Sequence, residues 1–273
     1  MGTSGVRLVL SDVDGTLLTS DKRLSDATVD AVRALHAAGI AFTVTSSRPA
    51  QGLAMLIEPL GIDAPSGAFN GGVFVDSSLA VVDERPLTIA VTSQVVAMLD
   101  EAGVDPWVYT GTHWFVRDLE GPHVQHESGV TRYVPTVTAD LIGALGEGAG
   151  APVKVVGFSD DHARVAAVEA TVTAALGATV SATRSQAYYL DVTHPDANKG
   201  AVVAYLSSHL GIPTAAIATI GDGQNDTLMF APAGTSIAMG NAADDVKALA
   251  TRVTTTNDAD GFAAAMHDLV LTN

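Results

Sequence analysis

A strand-then-helix grammar runs at both ends of this chain and lapses in the middle. Near the start, the apolar run Leu8-Val9-Leu10 reads as a buried strand. Ser25 can cap a helix with Val29, Val32 and Leu35 at its apolar positions, ending near Gly39. Ile40 to Val44 forms a second buried strand. Pro49 suits the first turn of a helix carrying Leu53, Leu56, Ile57 and Leu60 on one face. Late in the chain, Asn198 and Lys199 begin a helix with Val202, Val203, Leu206 and Leu210. Ala215 to Ile220 is then another strand, with shorter ones from Ser236 to Met239 and from Arg252 to Thr255. Alternation of this kind predicts an α/β fold whose parallel sheet is built from both ends with right-handed crossovers.

The middle has another texture. Two amphipathic helices, around Val95-Val96-Leu99 and around Val165-Val168-Val172-Leu176, alternate with aromatic stretches, and both tryptophans, Trp107 and Trp114, lie there. The expected organisation is a Rossmann-like core from residues 1–83 and 191–273, interrupted by a separate α+β domain over residues 84–190. The alternative is one continuous α/β domain. Residues 141–151, rich in Ala and Gly, read as a loop or a helix end. No tandem repeat or low-complexity tract is present.

Charge narrows the function classes. There are 14 basic against 30 acidic residues, a formal charge of −16, which argues against binding nucleic acid, where Lys and Arg must neutralise phosphates. An anionic substrate would need local help from a metal or a few cations. With no cysteine, disulfides and thiol chemistry are excluded. No apolar run approaches the ~20 residues needed to cross a bilayer, so no membrane partner is expected. Met1 to Arg7 enters the first strand without a charged stretch followed by a hydrophobic signal region. The expectation is a cytoplasmic protein. The sequence does not fix an oligomeric state.

The first strand drops directly into Asp12-Val13-Asp14-Gly15-Thr16. Two carboxylates at a strand's C-terminal end stand where open α/β sheets bind ligands, and they are costly there unless a cation or proton compensates them. Taken alone, the string could equally be a helix cap and a turn. The strand ending at Ile220 leads into a second acidic loop, Gly221-Asp222-Gly223-Gln224-Asn225-Asp226. If both strands are central and parallel, the loops lie side by side, and their carboxylates suit a hard divalent cation such as Mg²⁺. Lys199, at a helix N-terminus, and Ser46, after the second strand, offer anion-binding groups. Each has a plain alternative, a solvated lysine and a capping serine. All four pieces nevertheless fall at strand ends, in an order that suits one chemistry.

In those residues the chain resembles the haloacid dehalogenase superfamily of phosphatases, in its Cof-like branch with a large inserted cap of class IIB. Asp12-Val13-Asp14-Gly15-Thr16 is similar to the first motif, Ser46 to the second, Lys199 to the third and Gly221-Asp222 through Asn225-Asp226 to the fourth. Asn70-Gly71-Gly72 and Met239-Gly240-Asn241-Ala242 also resemble strings of the branch. The resemblance implies that Asp12 is a nucleophile forming an aspartyl-phosphate and that Asp14 moves the proton. It implies Mg²⁺ held by Asp12, the Asp14 backbone carbonyl and Asp222. Ser46 and Lys199 would hold the phosphoryl oxygens with help from Asn225, and Asp226 would orient the metal shell or Lys199. The chain departs from the usual Thr-Gly-Arg of the second motif, with Ser46-Ser47-Arg48 instead. Arg48 is a supporting candidate, either touching substrate or covering surface.

The implied activity is hydrolysis of a small phosphorylated metabolite such as a sugar phosphate. A phosphomutase of the same fold is one rival, and a non-catalytic phospho-acceptor or metal-binding regulator is another. In the middle domain Trp107, Tyr109, Trp114 and Tyr189 are candidates for reading the substrate, though aromatic residues at strand spacing also build cores. His123-Val124-Gln125-His126-Glu127 looks superficially like a metal cluster and reads as a polar loop.

Overall fold

The structure is a computed structural model that describes residues 5–146 and 148–271. The N-terminal expectation at residues 1–4 and Glu147 of the Ala/Gly run lie outside them. The chain divides into two compact units. One comprises residues 1–47, 53–80 and 198–273, the other residues 48–52 and 81–197. In chain order the first unit begins with β1 (Leu8–Asp12), α1 (Asp26–Ala37), β2 (Ala41–Thr45), α2 (Ala54–Leu60), β3 (Ser66–Ala68) and β4 (Val73–Val75). The second supplies β5 (Val81–Glu84), α3 (Ile89–Glu101), β6 (Asp105–Thr110), β7 (Trp114–Val116), α4 (Val124–Thr131), β8 (Thr136–Val137), β9 (Pro152–Phe158), α5 (His162–Leu176), β10 (Ser181–Gln186) and β11 (Tyr189–Thr193). The first unit resumes with α6 (Lys199–Leu210), β12 (Ile217–Gly221), β13 (Thr235–Ala238) and β14 (Arg252–Val253).

The strands of the first unit run in the order β14-β13-β12-β1-β2-β3-β4. Pairings from β14 to β3 are parallel, and β4 turns back antiparallel on β3. Leu8 sits level with both Ile217 and Ala41, and Asp12 with Thr45. That register brings the ends of β1, β2 and β12 to one edge of the sheet. The central strands are buried on both faces, as parallel strands must be. Leu8 and Leu10 meet Val202, Val203 and Leu206 of α6 in one core cluster, each fully buried side chain contributing about 1.5–3 kcal/mol. Phe42 of β2 packs edge-on against Phe262 at 5.8 Å between ring centroids. Ser25 caps α1, its Oγ accepting from Thr28 N at 3.2 Å.

The second unit has its own sheet, ordered β10-β11-β9-β6-β7-β8 and antiparallel except between β7 and β8. Alternation along these strands sends Val108, Val155, Leu190 and Val192 to one face. There they join Val95 and Leu99 of α3 and Val165, Val168 and Val172 of α5 in a second core.

Three local expectations need correction. Residues 81–83 and 191–197 group with the second unit; for residues 191–193 the reason is that β11 pairs with β9 and carries them into that sheet. The stretch after His123 forms the helix α4 where a polar loop was expected. The helix expected from Pro49 begins instead as a 3-10 segment, Ala50–Leu53, before α2.

Candidate active site

Asp12 ends β1 and its carboxylate is buried, since the strand is covered on both faces up to its last residue. The N-terminus of α6 supplies the balancing charge. Asn198 caps that helix, its side chain accepting from Ala201 N at 3.0 Å, and so fixes where Lys199 starts. Lys199 Nζ donates to Asp12 Oδ1 at 2.5 Å and to Asp226 Oδ1 at 2.5 Å, with only 1% of its side chain exposed. An ammonium this deep is tolerable only when paired.

The loop after β12 wraps around Asp226. Its Oδ2 accepts from the backbone N–H groups of Asp222 and Gly223 at 2.9 and 2.8 Å. A Cβ at Gly221 would lie 2.3 Å from Asp226 Cγ, so a larger residue would push the loop open. The same holds across the site. Gly15 has φ +80°, and a Cβ there would fall 2.3 Å from Asp222 Oδ2. The two acidic loops are therefore closely apposed at a glycine, as the parallel pairing of β1 and β12 allows.

Carboxylate oxygens of Asp12, Asp222 and Asp226 lie within 4.8 Å of one another. Three carboxylates against one ammonium leave two negative charges uncompensated when all are ionised. Burial, reinforced by the neighbouring carboxylates and opposed by Lys199, pushes Asp12 up to about 7. Burial with Asp226 nearby pushes Asp222 up to about 6. Burial works against the Lys199 ammonium, but Asp12 and Asp226 outweigh it and hold its pKa above the usual lysine range. An all-oxygen donor set with surplus negative charge fits a hard divalent cation such as Mg²⁺. Asp226 is committed to Lys199 and to two backbone N–H groups, which leaves Asp12 and Asp222 as the carboxylates suited to hold that ion.

Asp14 lies beyond the end of β1, and its carboxylate accepts from Lys22 Nζ at 2.8 Å at a partly exposed position. Ser46 follows β2 and is buried; its N–H donates to Gly67 O at 2.9 Å, and its carbonyl accepts from Asn70 N at 2.7 Å. Asn225 Nδ2 donates to Asn70 Oδ1 at 3.1 Å. Arg48 falls in the other compact unit, where it is buried, its guanidinium donating to Gly52 O at 3.3 Å.

Two residues join the site that the motif reading did not assign to it. Asn241 Nδ2 donates to Gly15 O at 2.9 Å and to Asp222 Oδ2 at 3.1 Å, while its Oδ1 accepts from Asn257 N at 3.0 Å. Asn70, with φ 57°, supports Asn225. Both sit in strings already noted for their resemblance, which was the available signal.

A family model described as haloacid dehalogenase-like hydrolase matches residues 9–266. The chain belongs to that family. This haloacid dehalogenase-like hydrolase is 28% identical to the 5-amino-6-(5-phospho-D-ribitylamino)uracil phosphatase of Bacillus subtilis, over 94% of this chain and 94% of the relative. A haloacid dehalogenase-like hydrolase from Bacteroides thetaiotaomicron matches its fold with a TM-score of 0.88 at 26% identity, covering 96% of this chain and 98% of that one. A subclass IIB sugar phosphatase of the superfamily shares the fold at a TM-score of 0.81 and 24% identity, over 96% and 98% of the two chains. The expected family and α/β fold class are thus those found. Among the described residues, no helix is long and apolar enough to cross a membrane.

Proposed function

We propose that this hydrolase is a Mg²⁺-dependent phosphatase that cleaves the monoester of a small phosphorylated metabolite through an aspartyl-phosphate on Asp12. The observation that carries the reading is the buried Lys199, held between Asp12 and Asp226 where β1 and β12 end. Few purely structural roles justify burying two carboxylates and one ammonium at a sheet edge, with a third carboxylate half-buried beside them.

In the proposed reaction an Asp12 oxygen attacks phosphorus and the ester P–O bond breaks. The departing alkoxide takes a proton from Asp14. Water then attacks the phosphorus and gives a proton to Asp14, and the bond between Asp12 and phosphorus breaks to release inorganic phosphate. Lys199, Ser46 and Asn225 hold the phosphoryl oxygens. Lys22 keeps the Asp14 carboxylate fixed at the exposed side of the site. Mg²⁺ held by Asp12, Asp222 and the Asp14 carbonyl would supply the positive charge that lets an anionic nucleophile approach an anionic phosphate. The relatives that act on ribitylaminouracil phosphate and on sugar phosphates support a hydroxylated metabolite as the class of substrate.

Asp12→Asn tests the reading. Phosphate release from sugar and polyol phosphates is expected to fall by about a thousandfold or more, with the far-UV circular dichroism unchanged. Turnover within tenfold of the parent would refute the assignment of the nucleophile. Release of inorganic phosphate by the parent without a bisphosphate activator separates this reaction from a phosphomutase.

A further inference from the structure

Between β1 and α1 the chain folds back on itself in a short hairpin. Leu18 forms an antiparallel bridge with Leu24, Thr19 N donates to Arg23 O at 3.0 Å, and Lys22 N donates to Thr19 O at 2.9 Å. Lys22 stands at the turn with φ 61°, and its ammonium reaches back to the Asp14 carboxylate. A two-stranded hairpin is marginally stable in water by itself, and an ion pair this exposed adds little. The hairpin's place therefore has to come from its neighbours.

Those neighbours come from the far end of the chain. Asn257 Nδ2 donates to Leu18 O at 2.9 Å. Asp258 takes both donors of Ser20, the backbone N–H on Oδ1 at 2.8 Å and the hydroxyl on Oδ2 at 2.6 Å. Asp260 Oδ1 accepts from Ser25 Oγ at 2.8 Å, so the cap residue of α1 is held as well. Asn257 N in turn donates to Asn241, whose amide holds Gly15 O. The turn is shaped to present these groups. Asp260 has φ 52°, a conformation that Asp tolerates, and a Cβ at Gly261 would fall 2.1 Å from Thr255 O. The two Ser20 donors keep the Asp258 carboxyl below its usual range.

We propose that Asn257, Asp258 and Asp260 are positioning residues for proton transfer at Asp14, acting through the hairpin that carries Lys22; the proposal rests on the phosphatase reading above. Proton delivery asks more of this loop than holding phosphate does. The Asp14 oxygen must come within hydrogen-bond reach of the leaving oxygen, and a misplacement of about 1 Å can cost a hundredfold. Asp12 and Lys199 are buried where β1 ends and α6 begins, so loosening the hairpin leaves them in place. Ester chemistry separates the two demands. An alkyl phosphate expels an alkoxide, which needs the Asp14 proton as the P–O bond breaks. p-Nitrophenyl phosphate expels a phenolate that is stable near neutral pH and departs without it.

The test compares kcat/KM of the full-length parent and Asp258→Ala on p-nitrophenyl phosphate and on an alkyl phosphate, ribitol 5-phosphate or glycerol 3-phosphate, whichever the parent cleaves faster. This quantity reports the transfer to Asp12, the step in which the leaving group departs. The expected result is a fall of about tenfold on the alkyl ester and of less than about twofold on the aryl one. Asp258→Asn keeps one oxygen for the Ser20 N–H and should recover most of the loss. If Asp258→Ala loses its native circular dichroism, Ser20→Ala replaces it with the same expected direction. Equal loss on both esters would show that these contacts only hold the fold, and no loss on either would show that the hairpin holds itself. Each of those results overturns the proposal. Failure of the phosphatase reading would show separately, as a parent that releases phosphate from neither ester or as release that persists in Asp12→Asn.

Discussion

The two sheets of this protein place their polar chemistry differently. In the first unit it is confined to strand ends, where parallel strands stop together and their loops meet. In the second it lies on a sheet face, where antiparallel neighbours bring every second residue into a row. A parallel sheet covered on both sides has no room for charge along its strands, so the ends are what remain. An antiparallel sheet can set a polar pair along one face among aromatic rings, as it does with Lys154 and Asp191. The first arrangement gathers a few strongly coupled charges, and the second a broad set of weaker polar and aromatic contacts.

Removing a charge at the strand ends should therefore have the largest effect. Lys199→Met would leave Asp12 and Asp226 facing each other in a buried space. The expected cost is about 3–5 kcal/mol in urea unfolding, with phosphatase turnover lost. A loss below 1 kcal/mol would mean that the ends are less coupled than their geometry requires. On the second sheet, the covered face is the one that bears stability. Leu99→Ala, cutting into the core beneath α3, should cost about 2–5 kcal/mol, measured in the same way. Asn241→Ala sharpens the contrast with a smaller change. It removes the donor shared by Gly15 O and Asp222 Oδ2 and, these bonds being exposed, should cost about 0.5–1.5 kcal/mol. It should also reduce the rise in Tm expected from the proposed Mg²⁺ binding, and an undiminished rise would show that Asp222 is held well enough without it.

The same contrast explains what could be read from the chain. Asp12, Lys199, Asp222 and Asp226 sit in short strings next to apolar runs, and a strand end is a local event that a sequence records. β1, β2, α1 and α6 were legible for the same reason, each with an apolar pattern and, for the helices, a capping residue. β3 and β4 were not, because three residues each, one of them Ser66-Gly67-Ala68, carry no period. The contribution of Asn241 depends on hydrogen bonds to two other loops, which its own neighbours in sequence do not announce. Lys154 and Asp191 belong to separate strands, and their pairing follows only from register. The boundary near residue 191 was misplaced because β11 looks like any short apolar strand until its partner is known.

The ion pair between Asp12 and Lys199 spans 187 residues of chain. During synthesis β1 emerges early, pairs with β2 on one side, and keeps its other edge bare until β12 arrives from beyond the whole of the second unit. For most of translation, then, the strand that ends in Asp12 is an open sheet edge, a template for mispairing. Until then the Asp12 carboxylate has yet to meet the lysine that balances it.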